Sequence, residues 1–343
     1  MRRCTICVLP ETFPGISFSA DGVCSVCRDF SSQGAASSAE DLTGELSRII
    51  EDARSRRRQY DALVAFSGGK DSTFLIHMLQ ERYGLRLLAL TLDNGYLSEA
   101  CCDNMRTVVT ALNVDHTIVK YRKDHLDAIF LESALAKVYP DHLTMFGSGV
   151  CISCIRMVMT AALRTALEKG IPMVMLGNSP GQLLRSKKEL IYQDCKIPFA
   201  LRRKLFDKLG ERLGPWVYDY LMLTEEEYTA RPFPYTISPL PIIGYDEAEI
   251  YHTIARFGWS KPTDVDPNST NCRLNAFGIV RHVNRYGFHP YDYEVSQLVR
   301  LGSMSRDAAL RRIEDPTGSV DEVAAQVEKS LFCGSCRENC GGC

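Results

Sequence analysis

Two groups of residues in this sequence could do chemistry: a glycine-lysine-aspartate turn and a set of paired cysteines. The turn, SGGKDS, spans residues 67–72, between the apolar stretches LVAF and STFLIHML. The apolar run before the glycines predicts a strand, and the apolar spacing after them predicts a helix. Glycines let backbone N–H groups approach an anion closely, and the amino end of a helix favours negative charge. The pattern therefore predicts an anion-binding loop.

The charged residues of the turn indicate which anion this is. Lys70 offers a point charge to phosphate oxygens, whereas Asp71 would repel phosphate unless a magnesium ion lay between them. We therefore expect ATP with Mg²⁺. The residues expected to bind it are Phe66, Ser67, Gly68, Gly69, Lys70, Asp71 and Ser72. The turn is not a Walker A loop, which has four residues between its first glycine and Gly-Lys-Ser/Thr.

SGGKDS resembles the PP-loop motif of the ATP pyrophosphatases, enzymes that cut ATP between the α and β phosphates. In that superfamily the second strand ends in an acidic turn beside the adenosine. LLALTLDNGYLS is similar to it, which implies Leu92 and Asp93 as adenosine contacts, and Gly177 and Asn178 are implied to line the nucleotide. The implied chemistry is attack of an acceptor oxygen on the α-phosphorus. Pyrophosphate then leaves, stabilised by magnesium and Lys70, and a nitrogen or sulfur nucleophile displaces AMP.

The chain around this turn has the rhythm of a parallel sheet. Short apolar runs, YDALVAF, LRLLALTLD, DHTIVKY and IPMVMLGN, alternate with helical segments. The resemblance implies an α/β fold of the adenine-nucleotide alpha hydrolase type, with a five-stranded parallel sheet within about residues 45–200. The expected regions are a zinc ribbon and linker (1–40), a PP-loop ATP pyrophosphatase domain (41–235), a mainly helical C-terminal region (236–330) and a Cys-rich metal-binding tail (331–343).

Ten of the 14 cysteines fall in CxxC pairs, a pattern that favours metal binding over disulfides in a chain that starts without a signal peptide. Cys4, Cys7, Cys24 and Cys27 have the spacing C-x2-C-x16-C-x2-C, which predicts a tetrahedral zinc site. The tail FCGSCRENCGGC is too short to form a core without a metal. Its cysteines, Cys333, Cys336, Cys340 and Cys343, predict a second zinc site, although an iron–sulfur cluster fits the spacing too.

Two family resemblances bear on the remaining pair. The opening CTICVLPETFPGISFSADGVCSVC and later segments up to about residue 315 resemble the N-acetyl sugar amidotransferases, which are PP-loop enzymes. A CxxC pair with one distant cysteine also resembles the PP-loop tRNA thiolases, in which three cysteines hold a [4Fe–4S] cluster with one iron free to bind sulfur. The second resemblance implies that Cys151, Cys154 and Cys272 are cluster ligands with a catalytic role. The alternative is a structural pair and an ordinary buried cysteine.

The sequence departs from both families. Thiolases follow the fourth strand with a Gly-His-Asn segment that ends in acidic residues, whereas this chain has LGNSPGQLLRSKKE, and Arg156 is the only cation near the CxxC pair. Forty basic and forty-two acidic residues give a net charge of -2, which disfavours a tRNA partner. For the amidotransferase, the chain shows no glutaminase nucleophile motif. A separate glutaminase subunit would then have to deliver ammonia.

Three hypotheses for function follow. The first is an ATP-dependent enzyme that adenylates the carbonyl oxygen of a small-molecule or sugar acceptor and transfers ammonia. The second is a sulfur transferase with a [4Fe–4S] cluster and a separate sulfur donor, and the third is a zinc-ribbon module that senses ATP. The start MRRCTICVLPE has no apolar signal region and no run of about 18 apolar residues occurs, so we expect a soluble, cytoplasmic protein without a membrane partner. The oligomeric state is open, with a homodimer as one option.

Overall fold

The computed structural model describes residues 1–32, 39–183, 189–315 and 318–336. Within them, one sheet has the strand order β3-β2-β1-β4-β6-β5. The strands are β1 Ala62–Ala65, β2 Leu87–Asp93, β3 Asp115–Lys120, β4 Met173–Leu176, β5 Ile191–Tyr192 and β6 Tyr235–Ile237. The helices before β4 are α1 Ser25–Ser32, α2 Ala39–Ser55, α3 Lys70–Tyr83, α4 Glu99–Ala111, α5 Lys123–Leu135, α6 Asp141–Thr144 and α7 Gly149–Lys169.

The second half of the described chain is mainly helical. Its helices are α8 Phe199–Lys204, α9 Asp207–Leu213, α10 Tyr218–Leu221, α11 Glu225–Thr229, α12 Leu240–Ile243, α13 Glu247–Ala255, α14 Leu274–Tyr286, α15 Asp292–Arg300, α16 Arg306–Glu314 and α17 Ser319–Cys336. Helix α17 continues across residue 331, where the tail was expected to begin.

Five of the strands are parallel, as predicted. Strand β1 pairs in parallel with β2 and β4, β2 with β3, and β4 with β6. The fifth parallel strand, β6, lies beyond the predicted range of residues 45–200, and β5 adds an antiparallel edge strand. Both are only two or three residues long, and β6 follows the proline-rich RPFPY, so neither shows the apolar alternation that predicts a strand.

Successive side chains of β1 point to opposite faces of the sheet, and both faces are packed. Ala62 and Val64 contact the core formed with α2, α3 and α13, whereas Leu63 contacts the core formed with α7 on the opposite face. Burial on both faces is typical of parallel strands. Because β1 lies between β2 and β4, the chain connections reverse direction at β1, and ligands of such sheets bind beyond the carboxyl ends of the strands at this point.

Helix α7 is the main helix on the second face. Ser148 caps its amino end by accepting a hydrogen bond from the N–H of Cys151, and Gly170 ends it in the left-handed conformation with φ +63°. By length and composition alone it could cross a membrane, with a mean hydropathy of 1.6, a test that buried helices of soluble proteins also pass. It packs against β1, β2, β4, α5 and α14, as a core helix does.

The N-terminal cysteine region docks onto the C-terminal helices. The guanidinium of Arg306 donates to the carbonyl oxygens of Cys4 and Cys7 at 3.1 Å each. Arg3 Nη1 lies 2.8 Å from the buried carboxylate of Asp292. The two ends of the chain therefore form one packed unit beside the sheet.

Candidate functional site

The SGGKDS turn lies at the carboxyl end of β1 and opens α3. Gly68 has φ +72°, and a Cβ there would lie 2.6 Å from Cys101 Sγ. Gly69 is the N-cap of α3 and makes no side-chain cap hydrogen bond. The N–H groups of Gly69 and Lys70 donate to the hydroxyls of Ser67 and Thr270 at 3.3 Å each, and a phosphate at this reversal point of the sheet would take the place of these hydroxyls as acceptor. The geometry suits a phosphate.

Gly177, at the end of β4, packs directly against this turn. A Cβ there would lie 2.8 Å from the backbone nitrogen of Ser72 and 3.0 Å from the carbonyl carbon of Asp71. Only glycine allows the two segments to approach so closely. The neighbouring Asn178 is held in place by a 3.0 Å hydrogen bond from Nδ2 to Ser238 Oγ.

Lys70 is buried, with 8 % of its surface exposed. Its Nζ lies 2.8 Å from Asp71 Oδ1, 2.7 Å from the hydroxyl of Tyr245 and 3.3 Å from Glu247 Oε1. Burial alone would lower the pKa of Lys70, but the negative charges of Asp71 and Glu247 outweigh it and raise that pKa above its usual value. The ammonium group therefore stays charged at the start of α3.

The C-terminal helices bring further charges to Lys70, and no motif in the sequence predicts them. Arg312 of α16 binds both oxygens of Glu247, at 2.5 and 2.7 Å. Glu294 of α15 accepts a hydrogen bond from Ser179 Oγ at 3.4 Å, in the loop after β4. Burial raises the pKa of Glu294 to about 7, although Arg312 and Lys70 act in the opposite direction. A carboxylate thus reaches the loop whose own sequence lacks one.

The other predicted nucleotide residues lie at the same edge of the sheet. Asp93 ends β2, where it accepts a hydrogen bond from Gly95 N at 3.0 Å and pairs with Lys120 at 2.9 Å. The side chains of Leu92 and Phe66 are buried in the core, with 5 % and 1 % of their surface exposed. Only their backbone atoms can face a nucleotide, and the adenosine contacts stay predictions.

The structure brings Cys272 close to Cys154, the second cysteine of the CxxC pair. Leu97, just after β2, forms an isolated antiparallel bridge with Cys272. The side-chain nitrogen of Asn94 lies 3.5 Å from Cys154 Sγ and 3.3 Å from Cys272 Sγ, so the two sulfurs are separated by at most the sum of these distances, about 6.8 Å. Cys151 lies one helical turn before Cys154 and donates to Asn275 Oδ1 at 3.2 Å.

The bound of about 6.8 Å between Cys154 Sγ and Cys272 Sγ is compatible with two ligands of one cubane cluster. Thiolates that share a cubane cluster lie on the order of 6–7 Å apart. A single tetrahedral metal requires closer sulfurs, and among the described residues only Cys4, Cys7, Cys24 and Cys27 have ligand atoms all within 4.8 Å of one another. Burial raises the pKa of Cys151 and of Cys154 to about 12 each, and it raises that of Cys272 as well. These thiols would release protons on binding a metal.

The four N-terminal cysteines form a compact buried site. Cys7 Sγ lies 3.8 Å from Cys24 Sγ, and Cys4 Sγ lies 3.9 Å from Cys27 Sγ. With zinc–sulfur bonds of about 2.3 Å, a tetrahedral site has sulfurs about 3.8 Å apart. Hydrogen bonds from Cys24 and Cys27 lower the pKa of Cys7, which favours a thiolate there. The donor set and its geometry fit zinc.

The predicted tail site stays a prediction. The backbone of Cys333 and Cys336 forms the last turn of α17, and Cys340 and Cys343 lie outside the described residues.

The structure confirms the predicted fold class, an α/β protein with a mostly parallel sheet, a helical C-terminal region and an N-terminal four-cysteine cluster. The resemblance of the SGGKDS turn to the PP-loop motif rests on the sequence. The subfamily stays a prediction. No family model matches the chain.

Relatives by sequence and by structure are distant. "Uncharacterized protein MJ1599" of Methanocaldococcus jannaschii is 23% identical over 315 residues, 92% of this chain and 94% of that protein. The glutamine-hydrolyzing GMP synthase of Pyrobaculum aerophilum is 31% identical over 71 residues, which are 21% of this chain and 14% of the synthase.

The solved structures that are similar to this chain include a tRNA thiolase and two synthetases. The U34-tRNA thiolase NcsA of Methanococcus maripaludis, solved with its [4Fe–4S] cluster, has a TM-score of 0.38 and 15% identity, covering 97% of this chain and 89% of the thiolase. NMN synthetase of Francisella tularensis has a TM-score of 0.37 and 12% identity, covering 86% of this chain and 97% of that one. NH3-dependent NAD synthetase of Campylobacter jejuni has a TM-score of 0.35 and 12% identity, covering 90% of this chain and 99% of that one.

Proposed function

We propose that this chain is an ATP pyrophosphatase-type transferase. It adenylates a carbonyl oxygen of an acceptor, releases pyrophosphate, and lets sulfur displace AMP beside Cys151, Cys154 and Cys272. The observation that carries the sulfur assignment is the contact of one amide, that of Asn94, with the sulfurs of both Cys154 and Cys272. A purely structural CxxC pair gives no reason for Cys272 to lie there.

The residues at the start of α3 would bind and polarise the triphosphate. The N–H groups of the SGGKDS turn face the phosphates, and Lys70 exchanges its contact with Asp71 or Glu247 for the pyrophosphate oxygens as negative charge develops there. Asp71 is the carboxylate nearest to Lys70 and fits a magnesium ion that bridges it to phosphate. Magnesium, when bound, neutralises the charge of the leaving pyrophosphate.

The proposed role of the three cysteines is to deliver the nucleophile. Cys272 is bridged to the chain just after β2, and Cys151 and Cys154 lie in the first turns of α7, so all three are at the carboxyl edge with the SGGKDS turn. A [4Fe–4S] cluster on three thiolates would supply sulfur at the iron that lacks a protein ligand. Proximity of donor and adenylated carbon is what the protein contributes to this step.

The acceptor that fits best is a small molecule. The net charge of -2 gives the chain no overall positive field for gathering a polyanion, so tRNA is the less favoured acceptor. Displacement by ammonia, delivered by a glutaminase subunit, is the second candidate. It is supported by the resemblance of residues 1–315 to the N-acetyl sugar amidotransferases. We also propose that the protein is soluble and cytoplasmic.

The test is anaerobic purification followed by iron, sulfide and pyrophosphate assays. We expect iron and acid-labile sulfide in the protein, and release of AMP and pyrophosphate that depends on an amide or carbonyl acceptor together with sulfide. Iron-free protein that turns over with ammonium would replace the sulfur assignment with the amidotransferase. Absence of pyrophosphate release with either nucleophile across an acceptor panel would favour an ATP-sensing module.

A further inference from the structure

Arg156 of α7 holds a guanidinium that is largely buried and lacks a hydrogen-bond partner among the described residues. Its nearest carboxylate oxygen, Asp194 Oδ2, lies 3.8 Å from Nη2, which is too long for a hydrogen bond. Its Nε is buried and has no partner within the described part of the chain. Leaving this buried N–H donor unpaired costs free energy, whereas the two terminal nitrogens of the guanidinium are not among the buried groups without a partner in the described residues. Such a group calls for a ligand.

Asp194 is hydrogen-bonded to other residues, and it lies 3.8 Å from Arg156, too far for a hydrogen bond. Arg202 of α8 binds Asp194 Oδ1 through Nη2. The hydroxyl of Tyr228 donates to Asp194 Oδ2 at 2.6 Å and accepts from Arg202 Nε at 3.0 Å. Two guanidiniums thus share one carboxylate, which leaves an excess positive charge in a partly buried place. Arg202 also contributes to lowering the pKa of Arg156, after burial itself.

Arg156 lies next to the proposed site along α7 but on the opposite face of the helix. It follows Cys154 by two residues, which is about 3 Å along the helix axis and a turn of about 200°, so it faces away from the cysteines. On that side it meets the turn after β5, and its guanidinium lies 5.8 Å from the centre of the Phe206 ring. The side chain is 17 % exposed and that of Asp194 is 2 % exposed. Arg156 is therefore the side chain of this pair that a ligand can reach from solvent.

We propose that Arg156, supported by Arg202, binds a phosphate ester group of the acceptor. The planar fork of an arginine matches the oxygens of phosphate in pairs, and a phosphate has enough oxygens to use the donors that Arg156 leaves unpaired. The assignment of this phosphate to the acceptor rests on the proposed function, whereas phosphate binding at Arg156 does not depend on it. ATP is the other source of phosphate, and the experiment separates the two.

The test uses inorganic phosphate as the probe and the full chain as the protein. Phosphate binding is measured by calorimetry and by the shift of the melting temperature, with and without saturating α,β-methylene ATP. We expect phosphate to bind the unaltered protein equally well in both conditions. Arg156→Met should weaken phosphate binding at least tenfold, and without phosphate it should melt at the same temperature or higher, because it removes an unpaired charge.

Two matched variants test whether Arg156 has only a structural role. Arg202→Met should lower the melting temperature without phosphate, because Arg202 is hydrogen-bonded to Asp194 and Tyr228. Arg164→Met changes a residue on the same helix that pairs with Glu227 at 2.6 Å. It should also lower the melting temperature but keep phosphate binding.

Unchanged phosphate binding in Arg156→Met would overturn the proposal. Loss of phosphate binding in the presence of the ATP analogue would assign the anion to the nucleotide and overturn the acceptor assignment. Phosphate binding without any pyrophosphate-releasing activity would keep the anion site and reject only the proposed function.

Discussion

The side-chain nitrogen of Asn94 lies 3.3 Å from the sulfur of Cys272, although 178 residues separate them in the chain. The same nitrogen lies 3.5 Å from Cys154 Sγ, and the Asn94 side-chain oxygen accepts a hydrogen bond from the N–H of Tyr96 at 2.9 Å. The amide is therefore fixed by the turn after β2 and points at both sulfurs. Hydrogen bonds of this kind orient thiolate ligands and tune the group that they hold.

Cys272→Ser tests whether these sulfurs hold iron. We expect anaerobically purified Cys272→Ser to lose most of its iron and acid-labile sulfide, because two thiolates on one helix cannot hold the cluster alone. Zinc should stay unchanged, since the N-terminal site is separate. Colorimetric iron analysis and the visible absorption spectrum measure this.

Cys102→Ser is the matched control for that experiment, because Cys102 is a partly exposed cysteine outside the CxxC pairs. It should keep both metals. Equal iron in Cys272→Ser and in the unaltered protein would exclude Cys272 as a ligand.

Lys70→Gln tests the role of the SGGKDS turn. Glutamine keeps a donor for Tyr245 but removes the charge that would stabilise the leaving pyrophosphate. We expect pyrophosphate release to fall by about 100-fold or more, the usual effect of removing one preorganised charge or donor. The partners of Lys70, Asp71 and Glu247, would then face each other without a cation, so the melting temperature should fall as well.

The control for Lys70→Gln is Lys137→Gln, because Lys137 is exposed and pairs with the exposed Asp141. It should leave turnover unchanged. A Lys70→Gln protein that is folded at the assay temperature and releases pyrophosphate at the normal rate would remove Lys70 from the mechanism.

The sequence predicted local features well, because each depends on residues close together in the chain. The strand before SGGKDS and the helix after it follow from apolar spacing over about twenty residues, and the four-cysteine ribbon follows from two CxxC pairs. Glu294 and Arg312 could not be predicted, because they reach Lys70 only after α15 and α16 fold back onto the sheet. Helices α15 and α16 look like ordinary amphipathic helices when read alone.

Asn94 and Arg156 illustrate the same limit in a different way. The Asp-Asn-Gly turn predicted a bend after β2, but the sequence does not say which side chain points at the cysteines. The sequence alone shows that Arg156 is a cation near the CxxC pair. Its lack of a hydrogen-bond partner depends on Arg202 and Tyr228, which come from an insertion between β4 and β6 that has no motif.

Cys24→Ser tests the N-terminal metal. We expect elemental analysis to show loss of about one zinc per chain. The melting temperature should also fall, because the ribbon is docked by Arg306 and by the edge-to-face contact of Phe13 with Phe288 at 5.3 Å. Cys195→Ser, at a partly buried cysteine outside the CxxC pairs, is the control and should keep its zinc. Unchanged zinc in Cys24→Ser would reject the site.

Glu294 makes stability depend on pH. Its pKa is raised from an ordinary 4.5 to about 7, so between these values the folded state holds a proton that the unfolded state has lost. The free energy of unfolding should therefore fall as pH rises from about 4.5 to about 7. Glu294→Gln cannot ionise and should gain up to about 3 kcal/mol relative to the unaltered protein across this window.

Denaturant unfolding at pH 5 and pH 8 measures that difference. Asp266 and Asp292, whose pKa values burial raises to about 6, act equally in both proteins, so the comparison isolates Glu294. A constant difference between the two proteins at both pH values would show that Glu294 does not titrate in this range.

Gly177→Ala tests the close approach of β4 to the start of α3. The new methyl group would lie 2.8 Å from Ser72 N and 2.9 Å from Ser72 Cα, and because these are backbone atoms they cannot rotate away as a side chain could. The start of α3 must shift, and the N–H groups that would bind phosphate shift with it. We expect ATP affinity to fall at least about tenfold, which corresponds to about 1.4 kcal/mol. Gly147→Ala, where a Cβ meets nothing within 4 Å, is the matched control. Calorimetric titration with α,β-methylene ATP measures both, and equal affinity in the two variants would show that the nucleotide does not depend on this contact.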